Sequence, residues 1–200
     1  MSEVLEVNMF ASKLVTPAAF VELLETSGRK VTLRECELFS NWEYEDHTSW
    51  VPADVQAAFQ ELQEGILISK IAQMHFLVDD RCTGGYAAYK VSPDQFELSV
   101  WINTSGLESL QGDEVGADNR SFYDQLTKTV GQVGKQHNFT SAYVGLETSV
   151  EFSEDLVEMM RNSHNVFRWI LPARPAWIPP GFEVQEEEGD WVVNRLPRSS

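Results

Sequence analysis

The chain has 200 residues, 42% of them hydrophobic, with 31 acidic against 15 basic residues and a formal net charge of −16. There is ample apolar material for a packed core, so the composition is that of a globular protein, either one large domain or two small, tightly joined ones. The charge balance argues against nucleic-acid and anionic-membrane binding, both of which need clustered Lys and Arg, and suits a basic protein partner or solubility alone.

In chain order, residues from about 4 read as a strand. Thr16 followed by Pro17 is then a helix start, with Phe20, Leu23 and Leu24 on one face and Gly28 as the stop. VTLRECELF, Val31 to Phe39, alternates and then shifts phase, which predicts a bulged strand. Ser49 or Val51 before Pro52 is expected to open a second helix with the stripe Val55, Ala58, Phe59 and Leu62, ending at Gly65. ILISKIAQMHFLV is β-branched and short of caps. YAAYKVSPDQFELSVWI reads as two strands joined at Ser92 to Gln95, the second placing Phe96, Leu98, Val100 and Ile102 on one face and Glu97, Ser99 and Trp101 on the other. After a polar loop, Thr104 to Ala117, Asp118 caps a long helix with Phe122, Leu126, Val130 and Val133 as its stripe. A strand SAYVGLE follows, then a helix capped by Ser153, and the strand VFRWIL.

From Pro172 the character changes. PARPAWIPPGF is extended, and FEVQEEEGDWVVNRL is a small hairpin around Glu187 to Asp190. The fold class is therefore α/β, an α+β sandwich with a mixed, largely antiparallel sheet covered by about four helices. Residues 1–171 form one domain, and 172–200 an arm and hairpin packed on it. The halves 1–78 and 86–171 share a β-α-β-α-β order, which a duplication would produce and which alternating chains also show without one.

The chemistry is sparse. Cys36 and Cys82 are too few for a disulfide framework and lack zinc spacing. MSEVLEVNMF is not built as a signal peptide, and no apolar run approaches the ~18 residues that span a bilayer, so a cytoplasmic location is expected. Thr83-Gly84-Gly85 lacks the lysine of a phosphate loop, and His47, His75, His137 and His164 show no ligand spacing, so no metal and no cofactor are expected. In DDRCTGGY an arginine beside Cys82 favours the thiolate, while Asp79 and Asp80 oppose it.

The segment NWEYEDHTSWVP stands out. Read as extended, it puts Trp42, Tyr44 and Asp46 on one face and Glu43 and Glu45 on the other. Trp42, Tyr44, Trp50 and Trp191 would serve as rigid anchors, and Glu43, Glu45, Asp46, Glu186, Glu187 and Glu188 as steering charges. The function expected is non-enzymatic: occlusion of a basic protein partner, in its sharpest form an inhibitor or immunity-type protein that neutralises a cationic toxin such as a nuclease. The alternatives are a small enzyme centred on Cys82 or on His47 with a carboxylate, and an adaptor that uses the proline-rich arm.

Overall fold

The computed structural model of the chain describes residues 4–26, 28–80, 82–103, 128, 131–187 and 189–196. Strand β1 (Val4–Ala11) leads to helix α1 (Pro17–Thr26), then β2 (Val31–Phe39), the short β3 (Thr48–Trp50), helix α2 (Val55–Leu67), β4 (Ile71–Val78), β5 (Cys82–Ser92) and β6 (Gln95–Asn103). Helix α3 is described over 131–136. It is followed by β7 (Phe139–Ser149), α4 (Leu156–Asn162), β8 (His164–Leu171), β9 (Phe182–Glu187) and β10 (Asp190–Arg195). The strands form one sheet of ten, in the order β3-β2-β4-β5-β6-β1-β7-β8-β10-β9. Every pairing is antiparallel, so the sheet is not mixed, and the hairpin β9–β10 continues it through β8.

Local signals explain most elements. Thr16 caps α1 by accepting a hydrogen bond from Ala19 N (3.2 Å), and Arg29 N closes the helix on Leu24 O (3.1 Å). The register of β2 against β4 shifts between Leu33 and Glu35, the expected bulge. The β5–β6 turn falls where Pro93 and Asp94 predict it.

Three expectations are corrected. Residues 48–50 form an edge strand, and α2 starts at Asp54, whose carboxylate accepts from Gln56 N (2.9 Å) and Ala57 N (3.1 Å). Gly65 does not end α2: a Cβ there would lie 2.4 Å from Leu38 Cδ2, so the glycine lets the helix press onto β2. The helix runs on to Leu67 and is closed off beyond it by Ser69, in the left-handed region at φ 68°, with Lys70 N bonded to Gly65 O (2.9 Å). The cap of α4 is Asp155 rather than Ser153; Ser153 Oγ accepts from Asp155 N one step outside (3.2 Å). The expected loop 104–117 and the start of the helix after it lie outside the described residues.

The two faces of the sheet are covered differently. On one, α1 and α2, joined by Val133 of α3, pack Phe20, Leu24, Phe59, Leu62 and Ile66 onto Met9, Leu38, Met74, Phe76 and Val100. On the other, α4 and the segment after β8 pack Met159, Met160, Trp177 and Ile178 against Tyr143, Trp169, Leu171 and Val193. Each of these side chains that is fully buried contributes roughly 1.5–3 kcal/mol, and the partly buried Trp177 and Ile178 less. The proline-rich stretch lies on its own sheet.

Tyr86 joins these levels. Its ring is fully buried beside Phe20 (5.5 Å), and its hydroxyl donates to Val15 O at 2.7 Å, fixing the link from β1 to α1. Tyr86→Phe leaves a buried carbonyl unpaired and should lower the unfolding free energy by about 1–3 kcal/mol. Denaturant unfolding should show this as a lower midpoint at unchanged slope; an unchanged midpoint would mean that Val15 O is satisfied by other means.

Candidate functional site: an acidic aromatic loop and the polar sheet face beneath it

The segment 40–47 is not extended, so the alternate-face arrangement does not hold. Asn41 folds it into turns: its side-chain oxygen accepts from Glu43 N (3.1 Å) and Glu45 N (3.2 Å), while its Nδ2 donates to Glu45 Oε2 (2.8 Å). Ser40 N bonds to Glu45 O (2.8 Å), Tyr44 N to Asn41 O (3.0 Å), and Ser40 Oγ donates to Asp46 (2.9 Å). Tyr44 and Asp46 stand at φ 60° and 50°, a left-handed conformation that costs non-glycine residues free energy and persists only when surroundings hold it.

What holds it is aromatic. Phe39, the last residue of β2, is fully buried beneath the loop, with the Tyr44 ring stacked on it at 4.6 Å and Trp42 meeting it edge-on at 5.7 Å. Trp42 also meets Tyr89 of β5 edge-on (5.5 Å). Both rings nevertheless remain about half exposed, Trp42 at 51% and Tyr44 at 48%, with Glu43, Glu45 and Asp46 exposed around them.

Beneath lies a polar stretch of sheet. Antiparallel register sets Phe39, Ile71, Tyr89, Glu97 and Phe10 in one cross-strand row and Glu37, Gln73, Ala87, Ser99, Asn8 and Tyr143 in the next. Tyr89 donates a short hydrogen bond to Glu97. Burial pushes the Glu97 carboxyl up to about 7; the Tyr89 hydrogen bond pulls the other way, and the Glu6 carboxylate adds to the rise. Burial likewise raises Tyr89 and Tyr143. Glu37 holds an imidazole on each oxygen, His47 Nε2 at 3.4 Å and His75 Nε2 at 3.5 Å, and His75 also meets Gln73 Nε2 at 3.2 Å. The carboxylate bridges the two rings, and among the described residues no group of three or more His, Cys, Asp or Glu is arranged to hold a metal. The Trp101 indole lies over Gly85, where a Cβ would fall 1.8 Å from it.

The other expected site residues disperse. Trp50 is paired with Cys36 and packs on the helix-covered core, facing away from Trp42. Burial, with Glu61 and Glu35 nearby, raises the Cys36 thiol to about 12, an inert side chain. Cys82 packs on that same core, whereas His47 lies on the other face, so the two do not meet. Asp79 and Asp80 are ion-paired with Arg29 (2.9 Å) and Lys30 (2.6 Å). Trp191 is partly buried under Arg174 (5.4 Å) on β10, five strands from Tyr89 and so roughly 24 Å along the sheet. Glu186 and Glu187 are exposed on the edge strand β9, and Glu188 lies outside the described residues.

Sequence alone does not single out Phe39, Asn41, Tyr89 and Glu97. The one sequence signal is the polar face Glu97, Ser99, Trp101 of an otherwise well-patterned strand. Comparison with protein-family models, with curated proteins and with solved structures gives no match to this chain.

The unfolded chain releases the Glu97 proton near pH 4.5, whereas the folded protein keeps it to about pH 7. Glu97 therefore subtracts from stability progressively as pH rises from 4.5 to 7, and by a few kcal/mol above that. Glu97→Gln should be more stable than the native chain at pH 8, with the difference vanishing near pH 4 in urea titrations at both pH values. A difference independent of pH would contradict the burial of this carboxyl.

Proposed function

We propose that this chain is a protein-binding protein that occludes a basic surface of its partner through the 40–47 loop. The observation that carries this is the strained loop itself. Two half-exposed aromatic rings and three exposed carboxylates are held in one conformation by Asn41, Phe39 and Tyr89. Rings fixed before contact lose little entropy on binding, and charges around them accelerate encounter with an oppositely charged surface. A chain of net charge −16 reinforces that attraction and repels anionic partners, nucleic acids among them.

In its sharpest form this is an inhibitor or immunity-type protein that neutralises a cationic toxin such as a nuclease, whose active site must be positive to hold phosphates. Two free cysteines, Cys36 and Cys82, suit the reducing cytoplasm. Trp42 and Tyr44 are the anchors and Glu43, Glu45 and Asp46 the steering charges. Trp50 has no part in this surface, and Trp191 with Glu186 and Glu187 would form a separate contact at the far edge. Among the described residues no helix is long and apolar enough to cross a membrane.

Immobilised native chain should retain one stoichiometric basic protein from a lysate of its source and release it as salt rises. Glu43→Lys/Glu45→Lys should lose that protein, with association slowed roughly tenfold or more at low salt and the effect shrinking at high salt. Thermal unfolding of the variant should stay within a few degrees of the native chain. Equal retention by both proteins, or retention insensitive to salt, would overturn the electrostatic reading.

A further inference from the structure

The Phe39–Tyr44 pair is an aromatic stack with one open end. Tyr44 lies on Phe39 at 4.6 Å with 28° between the ring planes, and Phe39 is fully buried, so the outer face of Tyr44 is the one left for another molecule. His47 does not occupy that face. It stands edge-on 5.5 Å from Tyr44 and 6.2 Å from Phe39, close to both rings and therefore beside the stack. Trp42 meets Phe39 edge-on at 5.7 Å and flanks the pair as well. Among the described residues no Lys or Arg lies over Tyr44, which stays half exposed. Two other partly buried rings carry an arginine of the chain's own: Arg161 lies over Trp177 at 5.0 Å and Arg174 over Trp191 at 5.4 Å.

A planar cation can continue such a stack. Its flat face meets the electron-rich face of the ring while its N–H donors point outward in the plane; an ammonium group is compact, strongly hydrated and has no flat face. The surroundings of Tyr44 supply the acceptors. Glu43 and Glu45 adjoin it and Asp46 follows, all three exposed. Within the loop Glu45 uses Oε2, bonded from Asn41, and Asp46 uses Oδ2, bonded from Ser40, so the second oxygen of each carboxylate can still accept. We propose that the outer face of Tyr44 seats an arginine side chain of the basic partner, its guanidinium stacked on the ring and its N–H groups turned to Glu43, Glu45 and Asp46. This seat rests on the loop being the docking surface for that partner, and it sharpens the partner's chemistry. The surface selects arginine over lysine, where charge alone would accept either.

The test is an NMR titration of the full chain with three capped tripeptides, acetyl-Gly-X-Gly amide, in which X is arginine, lysine or citrulline. Citrulline is as flat as arginine and carries no charge. The arginine peptide should shift the Tyr44 ring signals and saturate in the millimolar range, and the lysine and citrulline peptides should each bind roughly fivefold more weakly or not at all. Tyr44→Phe keeps the ring face and should keep the preference. Tyr44→Leu, with loop order checked by the protection of the Glu43 and Glu45 amides, should bring the arginine peptide down to the lysine level. Lysine or citrulline binding as tight as arginine overturns the seat, and so does an arginine peptide that leaves Tyr44 unshifted up to roughly 50 mM. An equal response to lysine leaves the acidic docking surface standing, whereas failure of that surface shows separately, in a retained basic protein indifferent to Glu43→Lys/Glu45→Lys.

Discussion

Everything else in the molecule depends on the insertion of the first strand into the middle of the sheet. β1 pairs with β6 on one side and β7 on the other, in register over nearly its whole length. Beyond β6 lie β5, β4, β2 and β3, and beyond β7 lie β8, β10 and β9, so without β1 the other nine strands would separate into two blocks. The pairing is reinforced by side chains: Glu6 accepts from Thr148 N (2.7 Å) and Thr148 Oγ1 (2.6 Å), and Asn8 donates to Thr148 Oγ1 (3.1 Å). These contacts span about 140 residues of chain, so closing them carries an entropic cost that many local hydrogen bonds must offset.

The same register distributes the chemistry. In an antiparallel sheet successive side chains alternate between faces, so each strand delivers one set to the helices and the other to the far side. Strands β2, β4 and β6 send Cys36, Leu38, Met74, Phe76, Leu98 and Val100 to the helices. The opposite set, Glu37, His75, Glu97 and Trp101 with Phe39 and Tyr89, supplies the polar and aromatic bed on which the 40–47 loop rests. The placement of the loop's aromatic and acidic groups is thus a consequence of strand alternation, and the strained loop is stable because Phe39 and Tyr89 are rigid parts of the sheet.

Elements with local punctuation were legible in the sequence: Thr16-Pro17, the phase shift in β2, the Ser92 to Gln95 turn and the Glu187 to Asp190 hairpin all lie where their residues indicate. Signals with two readings misled. Gly65 carries the mark of a helix stop, yet its missing side chain serves the contact with Leu38. Asn41 looks like any polar residue before an aromatic run, and its two acceptor bonds make the loop a turn where alternation suggests an extended strand. At the site, Trp42 and Tyr44 do lie together among acids. Trp50, eight residues after Trp42, faces the other way because β3 pairs with β2. Glu97 acquires its near-neutral pKa chiefly from burial, with the Glu6 carboxylate adding to the rise against the Tyr89 hydrogen bond, an environment that no sequence pattern brings together.

The account requires the loop to be ordered in the free protein and not shaped by a partner. Amide hydrogen exchange on the isolated chain tests this most directly, because the amides of Ser40, Glu43, Tyr44 and Glu45 are all hydrogen-bonded within the loop. They should exchange at least roughly tenfold more slowly than an unstructured peptide, and Asn41→Ala should abolish the protection at Glu43 and Glu45. Exchange at the free-peptide rate in the native chain would show that the aromatic and acidic groups are not held in advance, and the preorganised surface would have to be abandoned.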